Sequence, residues 1–359
     1  MSSFLPSLSE SGMVIFGAGN LGKRVASALC SHNVVPLAFC DNNSSLWGSA
    51  ITGIPIVSPA EAAKSFPGAT FMVAVWHPTQ QEGLRFHIRA LRSLGCERVT
   101  TFIPVMWQFP ETFLPNLFWD LPEKFAAEQD AIDAARQLLD DTGREEFDRL
   151  LRFRVEGDPF ALSDPEPSMQ YFPSDFFPLS AEECFVDCGA FDGDTLTSFL
   201  RKSDGHFRRY IALEPEPENV SKIDSAVARD PYLRGRVQVH KVAVGSRREV
   251  LRFHAAGDSS VISSTGELEI QCEMLDALLK NETPTFIKMD IEGFELEALG
   301  GGRQSIQRCR PKLAVCVYHR PDHLWRIPLA LNELLPGSRM TMRSYLVDGF
   351  DTVCYCVPS

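Results

Sequence analysis

The sequence predicts an α/β chain made of two doubly wound parallel units joined by a helical connector. Three observations carry this expectation. Two short apolar runs, residues 13–16 and 184–186, each break into a glycine turn and then into an apolar pattern of helical spacing. Each turn is followed by a second apolar run that ends on a carboxylate, Asp41 in the first half and Glu214 in the second. Between the halves, residues 106–169 lose this alternation and become rich in Pro, Phe, Trp and charge. A chain of 359 residues amounts to about 2.4 domains at ~150 residues each. The expected division is therefore a Rossmann-like unit over 1–105, a connector over 106–169 and a second unit over 170–359.

In the first half, residues 13–16 read as a buried strand, Gly17, Gly19 and Gly22 as the turn, and Val25, Ala26 and Leu29 as the inner face of a helix. Residues 35–40 form the second strand, and Asp41 follows 19 residues after Gly22. A G-x-G-x-x-G turn between strand and helix, with an acid about 20 residues on, is the dinucleotide fingerprint. The glycines let backbone approach phosphate, and the acid accepts a ribose hydroxyl. Gly17, Gly19, Gly22 and Asp41 are thus a candidate site for a nucleotide or nucleotide-sugar. The competing reading is a turn that binds nothing and only positions substrate or a second subunit. The turn-rich residues 48–59 resemble the passage after the second strand in the nucleotide-binding domains of sugar-modifying proteins. Residues 71–76, a helix from about Gln80 to Leu94, and residues 98–103 complete a small parallel sheet.

In the connector, Pro122 suits a first helical turn, and Phe125, Ala126, Ile132, Ala135, Leu138 and Leu139 recur at helical spacing until Gly143. A second helix is expected over 145–154 with Phe147, Leu150 and Leu151 on one face, its aromatics serving as core. The proline-punctuated loop 157–178 brings Tyr171 ahead of the second unit, either to close over a pocket there or to anchor the loop.

In the second half the turn is Asp187-x-Gly189-x-x-x-Gly193, and Glu214 stands 21 residues past Gly193 at the tip of the next strand, where a ribose is accepted. Asp187 would repel a pyrophosphate and suits a cofactor with a positive amino acid end. A helix follows at 217–228, then a third strand over 237–245 whose end would flank an adenine. Residues 251–253 and the polar 257–260 come next. A fourth strand is expected at 285–290 leading into Glu292, and a fifth at 313–318 ending on His319. A helix at 322–335 and an antiparallel final pair, 340–346 with 353–357, close the sheet.

Taken in order, Asp187-x-Gly189-Ala190, Gly193-Asp194-Thr195, Glu214-Pro215, Ala243-Val244-Gly245, Leu275-Asp276, residues 287–293 and Val317-Tyr318-His319 resemble the FkbM-type methyltransferases over roughly residues 170–358. Phe191 departs from the Asn that many members carry. The resemblance implies a class I methyltransferase sheet and S-adenosyl-L-methionine as cofactor, held by Asp187, Gly189, Ala190, Gly193, Asp194, Thr195, Glu214, Ala243 and Asp290. It implies methylation of a hydroxyl on a sugar, glycan or other polyol-like small molecule. Asp290 and His319 are the candidate catalytic residues. His319, at an ordinary pKa of roughly 6.5, is expected to be mostly neutral and able to accept the acceptor's proton. Alternatively, Asp290 and Glu292 hold a Mg²⁺ that acidifies the hydroxyl, with a helix N-terminal charge as the plainer role for Glu292. The rival function is an oxidoreductase, or a nucleotide-sugar- or NAD-binding protein, that works through the N-terminal turn, with the second unit serving as recognition.

Bulk properties narrow the partners. A net charge of −12 argues against nucleic acid, which requires clustered basic residues. The N-terminus lacks a basic start with an apolar core, and no segment offers ~18 uninterrupted apolar residues, so neither export nor a membrane span is expected. The ten cysteines are scattered without a C-x-x-C pair, and are expected as free thiols in a reducing cytoplasm.

Overall fold

The computed structural model of the protein describes residues 12–77, 82–254, 261–262 and 268–359. The chain divides into two compact units. One comprises the chain up to Ala127 with 148–165 and 346–350, and the other 128–147, 166–345 and 351–359.

The first unit is organised on strands β1 (Met13–Phe16), β2 (Ala38–Cys40), β3 (Ala50–Ile51), β4 (Ile54–Val57), β5 (Thr70–Val73) and β6 (Arg98–Thr101). They form a six-stranded sheet in the order β3-β4-β2-β1-β5-β6, parallel except for the β3–β4 pair. All four residues of β1 are buried, as expected of a parallel strand covered on both faces. The helix Asn20–Cys30 buries Gly22, Val25, Ala26 and Leu29 as a stripe at 3.6-residue spacing, with Ala28 buried at its margin. The helix expected from about Gln80 is present as Leu84–Ser93, residues 78–81 lying outside the described part. Its N-terminus is held by Asp348, whose two carboxylate oxygens accept the Leu84 amide at 3.1 and 3.0 Å. Trp76, Phe102, Phe118, Trp119 and Phe350 form an aromatic cluster with ring centroids 5.0–6.3 Å from Trp76.

The second unit carries strands β7 (Cys184–Cys188), β8 (Arg209–Leu213), β9 (Val237–His240), β10 (Ala243–Val244), β11 (Glu249–His254), β12 (Val261–Ile262), β13 (Leu268–Glu273), β14 (Phe286–Met289), β15 (Lys312–Cys316), β16 (Arg339–Ser344) and β17 (Thr352–Val357). Seven of them form the main sheet, in the order β16-β17-β15-β14-β7-β8-β9, with β17 antiparallel to both of its neighbours. The expected third strand is in fact split. Residues 237–240 stay in the main sheet, whereas Ala243 and Val244 join β13, β11 and β12 in a separate four-stranded sheet. The polar stretch 257–260 lies outside the described residues.

Gly143 also departs from expectation. It does not end a helix but lies in the first turn of Asp141–Glu156. Asp140 caps that turn, accepting the Gly143 amide at 2.8 Å and the Thr341 hydroxyl at 2.7 Å. A Cβ on Gly143 would come within 2.7 Å of the Met342 nitrogen, so close packing on β16 requires the glycine.

The core below β7 is aromatic: Phe185 stacks on Phe286 at 4.6 Å and meets Tyr210 edge-on at 5.2 Å. Strand order reverses between β7 and β14, since β8 and β9 extend to one side of β7 while β14 pairs on the other. The crevice at the carboxyl ends of these two strands is where an open α/β sheet receives a ligand.

Candidate active site

The turn after β7 requires its glycines. Gly189 has φ +81, and a Cβ there would strike the Asp290 carbonyl oxygen. Gly193 has φ +93 and sits at the N-cap of the helix Asp194–Lys202. Asp187 stands below this turn, fully buried. One of its oxygens is 2.9 Å from the Lys288 ammonium, and the other accepts the Tyr210 hydroxyl. Lys288 also donates to the Gly189 carbonyl at 2.7 Å. Burial alone would lower Lys288, but the Asp187 charge overrides it and raises the pKa, so the ammonium stays charged. The expectation that Asp187 offers free negative charge to a ligand is therefore corrected. Lys288 neutralises it, and the pair fixes the turn from beneath.

Ala190 and Thr195 are buried and can meet a ligand only through backbone, while Asp194 is exposed in the first helical turn. Glu214 links the turn to the second strand. Its carboxylate accepts the Phe191 amide at 2.9 Å and the Glu216 amide at 2.9 Å. Each oxygen keeps acceptor capacity for a diol. Burial raises its pKa. Phe191, at φ +46, presents its ring to solvent beside this carboxylate. Ala243, half-buried, lies in the second sheet.

The tips of β14 and β15 carry a network that sequence reasoning only partly anticipated. Asp290 accepts the Tyr171 hydroxyl at 2.7 Å and the Tyr318 hydroxyl at 3.2 Å. His319 Nε2 lies 3.3 Å from Asp290 and 3.7 Å from Glu292, and its Nδ1 is 2.8 Å from Glu295. Glu295 is fully buried and also accepts the Ile291 amide at 3.0 Å. His323 stands 3.2 Å from its other oxygen. Burial opposes charge on His319, yet the Glu295, Asp290 and Glu292 carboxylates together raise it to about 10. His319 is thus an imidazolium at neutral pH, and the expectation of a neutral base is corrected. Glu292, at φ +55, keeps half of its side chain exposed. Its crowded surroundings and the Asp290 and Glu295 charges raise it to about 7, against the lowering effect of His319. The helix N-terminal charge is instead Glu295, first residue of Glu295–Gly301. Asp351 borders the network through Gln170 at 3.0 Å and is raised to about 6, first by burial and then by Asp290.

Tyr171 both anchors its loop and reaches the site. Its amide donates to the Tyr355 hydroxyl at 2.9 Å while its own hydroxyl holds Asp290. Sequence reading missed Lys288, Tyr210, Glu295, His323 and Asp351. Lys288 left a trace, a cation inside the apolar run 286–289. The others left none, because their roles depend on partners far along the chain.

In the N-terminal unit, Gly17 has φ +110, Gly19 caps the helix Asn20–Cys30 and Gly22 packs under Gly17. Asp41 accepts the Ala18 amide at 2.7 Å.

A glycine turn, strand-tip carboxylates at a topological switch point and a reversed last strand together define an α/β methyltransferase of the class that uses S-adenosylmethionine. Residues 187–345, within the second unit, match the family model of the methyltransferase FkbM domain. A methyltransferase FkbM from Methylobacillus flagellatus KT is similar over 99% of this chain and 93% of its own, at 24% identity and a TM-score of 0.77, a likeness of fold. An O-methyltransferase from Bacillus cereus, solved with SAH, matches 67% of this chain and 100% of its own at 16% identity and a TM-score of 0.35. Fibrillarin from Aeropyrum pernix, with natively bound S-adenosyl-L-methionine, matches 50% and 69% at 14% identity and a TM-score of 0.31. No curated protein matches the chain.

Proposed function

We propose that the protein methylates a hydroxyl of a sugar, glycan or other polyol-like small molecule, with Glu292 receiving the hydroxyl proton. The observation that carries this reading is geometric: the half-exposed Glu292 carboxylate stands 3.7 Å from the buried His319 ring, itself 3.3 Å from Asp290, and burial with neighbouring charge raises Glu292 to about 7. A base is most effective when its pKa lies near the working pH. S-adenosylmethionine supplies an electrophilic methyl on a sulfonium. The acceptor oxygen would take that methyl as the carbon–sulfur bond broke to leave a neutral thioether, and Glu292 would take the hydroxyl proton. Gly189 and Glu214 would hold the cofactor, and Asp290, braced by Tyr171 and Tyr318, would orient the acceptor. His319 offsets the negative charge of Asp290 and Glu292 so that both stay close together. Clustered carboxylates and hydroxyls suit an acceptor with several neighbouring hydroxyls, each donating one hydrogen bond.

The donor set does not fit Mg²⁺. Oxygen and nitrogen atoms of Asp290, Glu295 and His319 lie within 4.8 Å of one another, but Glu295 Oε1 is taken up by His319 and the Ile291 amide. His319 Nε2, 3.3 Å from Asp290 and 3.7 Å from Glu292, sets a nitrogen between the two carboxylates where a hard cation prefers oxygen.

The test is incubation of the enzyme and S-adenosylmethionine with glycan and metabolite pools, read by mass spectrometry. A gain of one methyl on a hydroxylated species is expected. Transfer only to amines or thiols would overturn the assignment.

A further inference from the structure

The two units treat their strand-tip carboxylates alike. In the methyltransferase unit, Glu214 accepts one amide from the glycine turn, Phe191, and one from two residues downstream, Glu216. In the N-terminal unit, Asp41 accepts the Ala18 amide of its own glycine turn at 2.7 Å and the Asn43 amide, again two residues downstream, at 2.8 Å. Both carboxylates are thereby oriented with acceptor capacity to spare.

The three N-terminal glycines are not equivalent. Gly17 has φ +110, and its Cβ would lie 2.6 Å from Val75. A Cβ on Gly22 would strike the Gly17 carbonyl oxygen. The fold therefore demands these two. Gly19 has an ordinary φ of −77 and a Cβ there would meet nothing within 4 Å. The space it leaves empty faces a cavity of about 720 Å³ whose wall includes Asn20, Arg24, Asp41 and His87. Gly19 offers no side-chain cap to the helix Asn20–Cys30, so the first-turn amides remain available to an anion. His87 is 3% exposed, and neither ring nitrogen makes a hydrogen bond of ordinary geometry among the described residues, the Glu82 backbone being the polar group near it. A buried imidazole with so little hydrogen bonding among the described residues is costly in a cavity wall unless a ligand completes it.

We propose that this cavity binds a nucleoside diphosphate group, with the diphosphate on the amides at Gly19 and Asn20 beside Arg24, a ribose hydroxyl on Asp41, and a polar ligand group on His87. Such a group is shared by dinucleotides and nucleotide-sugars. It is independent of the acceptor assigned to the methyltransferase unit.

The full chain, saturated with S-adenosylhomocysteine, is titrated calorimetrically with NAD⁺, ADP-glucose and UDP-glucose. One-to-one binding of at least one probe is expected. Binding of NAD⁺ alone marks a dinucleotide site, and binding of a sugar conjugate marks a nucleotide-sugar site. In Gly19→Val, which the open space lets fold, that affinity falls by roughly tenfold or more, while S-adenosylhomocysteine binds as in the wild type. Asp41→Asn, which keeps an acceptor for the Ala18 amide, weakens the same probe. Absence of binding by all three probes overturns the proposal, as does binding untouched by both substitutions or displaced by S-adenosylhomocysteine.

Discussion

At neutral pH Glu292 and His319 face each other with their usual ionisation tendencies reversed. Glu292 is raised to about 7 and His319 to about 10, so the acid is the group that titrates in the working range and the imidazole is the fixed charge. Because the ionised carboxylate is the active form, turnover is expected to rise with pH through about 7 and then level off. Glu292→Gln should abolish that limb and lower kcat by roughly 10²–10⁴-fold while S-adenosylhomocysteine affinity is unchanged. A variant that keeps the wild-type pH profile would remove Glu292 from proton transfer. His319 makes a separate prediction about stability. Its folded pKa lies above the ordinary 6.5, so its contribution is complete below pH 6.5 and is lost as pH rises through about 10. Melting temperatures of the wild type and His319→Gln, measured across that window, should differ most at the low end and converge at the high end.

At the scale of elements, the glycine turn after β7 is the joint on which the cofactor site depends. It is fixed by the collision a Cβ on Gly189 would make with the Asp290 carbonyl and by the Lys288 hydrogen bond to Gly189 itself. Gly189→Ala should cost ~1–3 kcal/mol through positive φ alone. It should also displace the β14 tip, with S-adenosylhomocysteine binding lost in calorimetry and a lowered melting temperature. Retained affinity in a stable variant would show that the turn tolerates the side chain. A buried aromatic stack at Phe185 and Phe286 holds the same two strands below the turn, so the site is placed by rigid elements on both sides.

For the molecule as a whole, the chain visits each unit more than once. The first unit takes residues 148–165 and 346–350 from later in the sequence, and the second takes 128–147. Deleting residues 1–105 should therefore not yield a well-behaved remainder. It removes Trp76 and Phe102 from the cluster and leaves Phe118, Trp119 and Phe350 without them. The expected outcome for residues 106–359 is aggregation, measured as loss of soluble yield and of a cooperative melt. A soluble, cooperatively melting fragment would mean the remaining segments repack. No helix among the described residues is long and apolar enough to cross a membrane.

Much of this was legible in the residues alone, and what was not has a common cause. Apolar runs, glycine turns and strand-tip carboxylates announce themselves locally, since a buried parallel strand needs continuous apolar residues and a tight turn needs positive φ. The sequence by itself thus determined the α/β class, the glycine turn after β7, the positions of Glu214, Asp290 and His319 at strand ends, and the ordered motifs of the methyltransferase domain. The tertiary structure alone decided the charge states and the pairings. Asp187 meets Lys288 across neighbouring strands, and Tyr171 reaches Asp290 over a separation of 119 residues. His319 becomes a fixed cation only because Glu295, Asp290 and Glu292 converge on it. A pKa depends on burial and on the charges within a few ångströms, and both are set by packing that brings distant parts of the chain together.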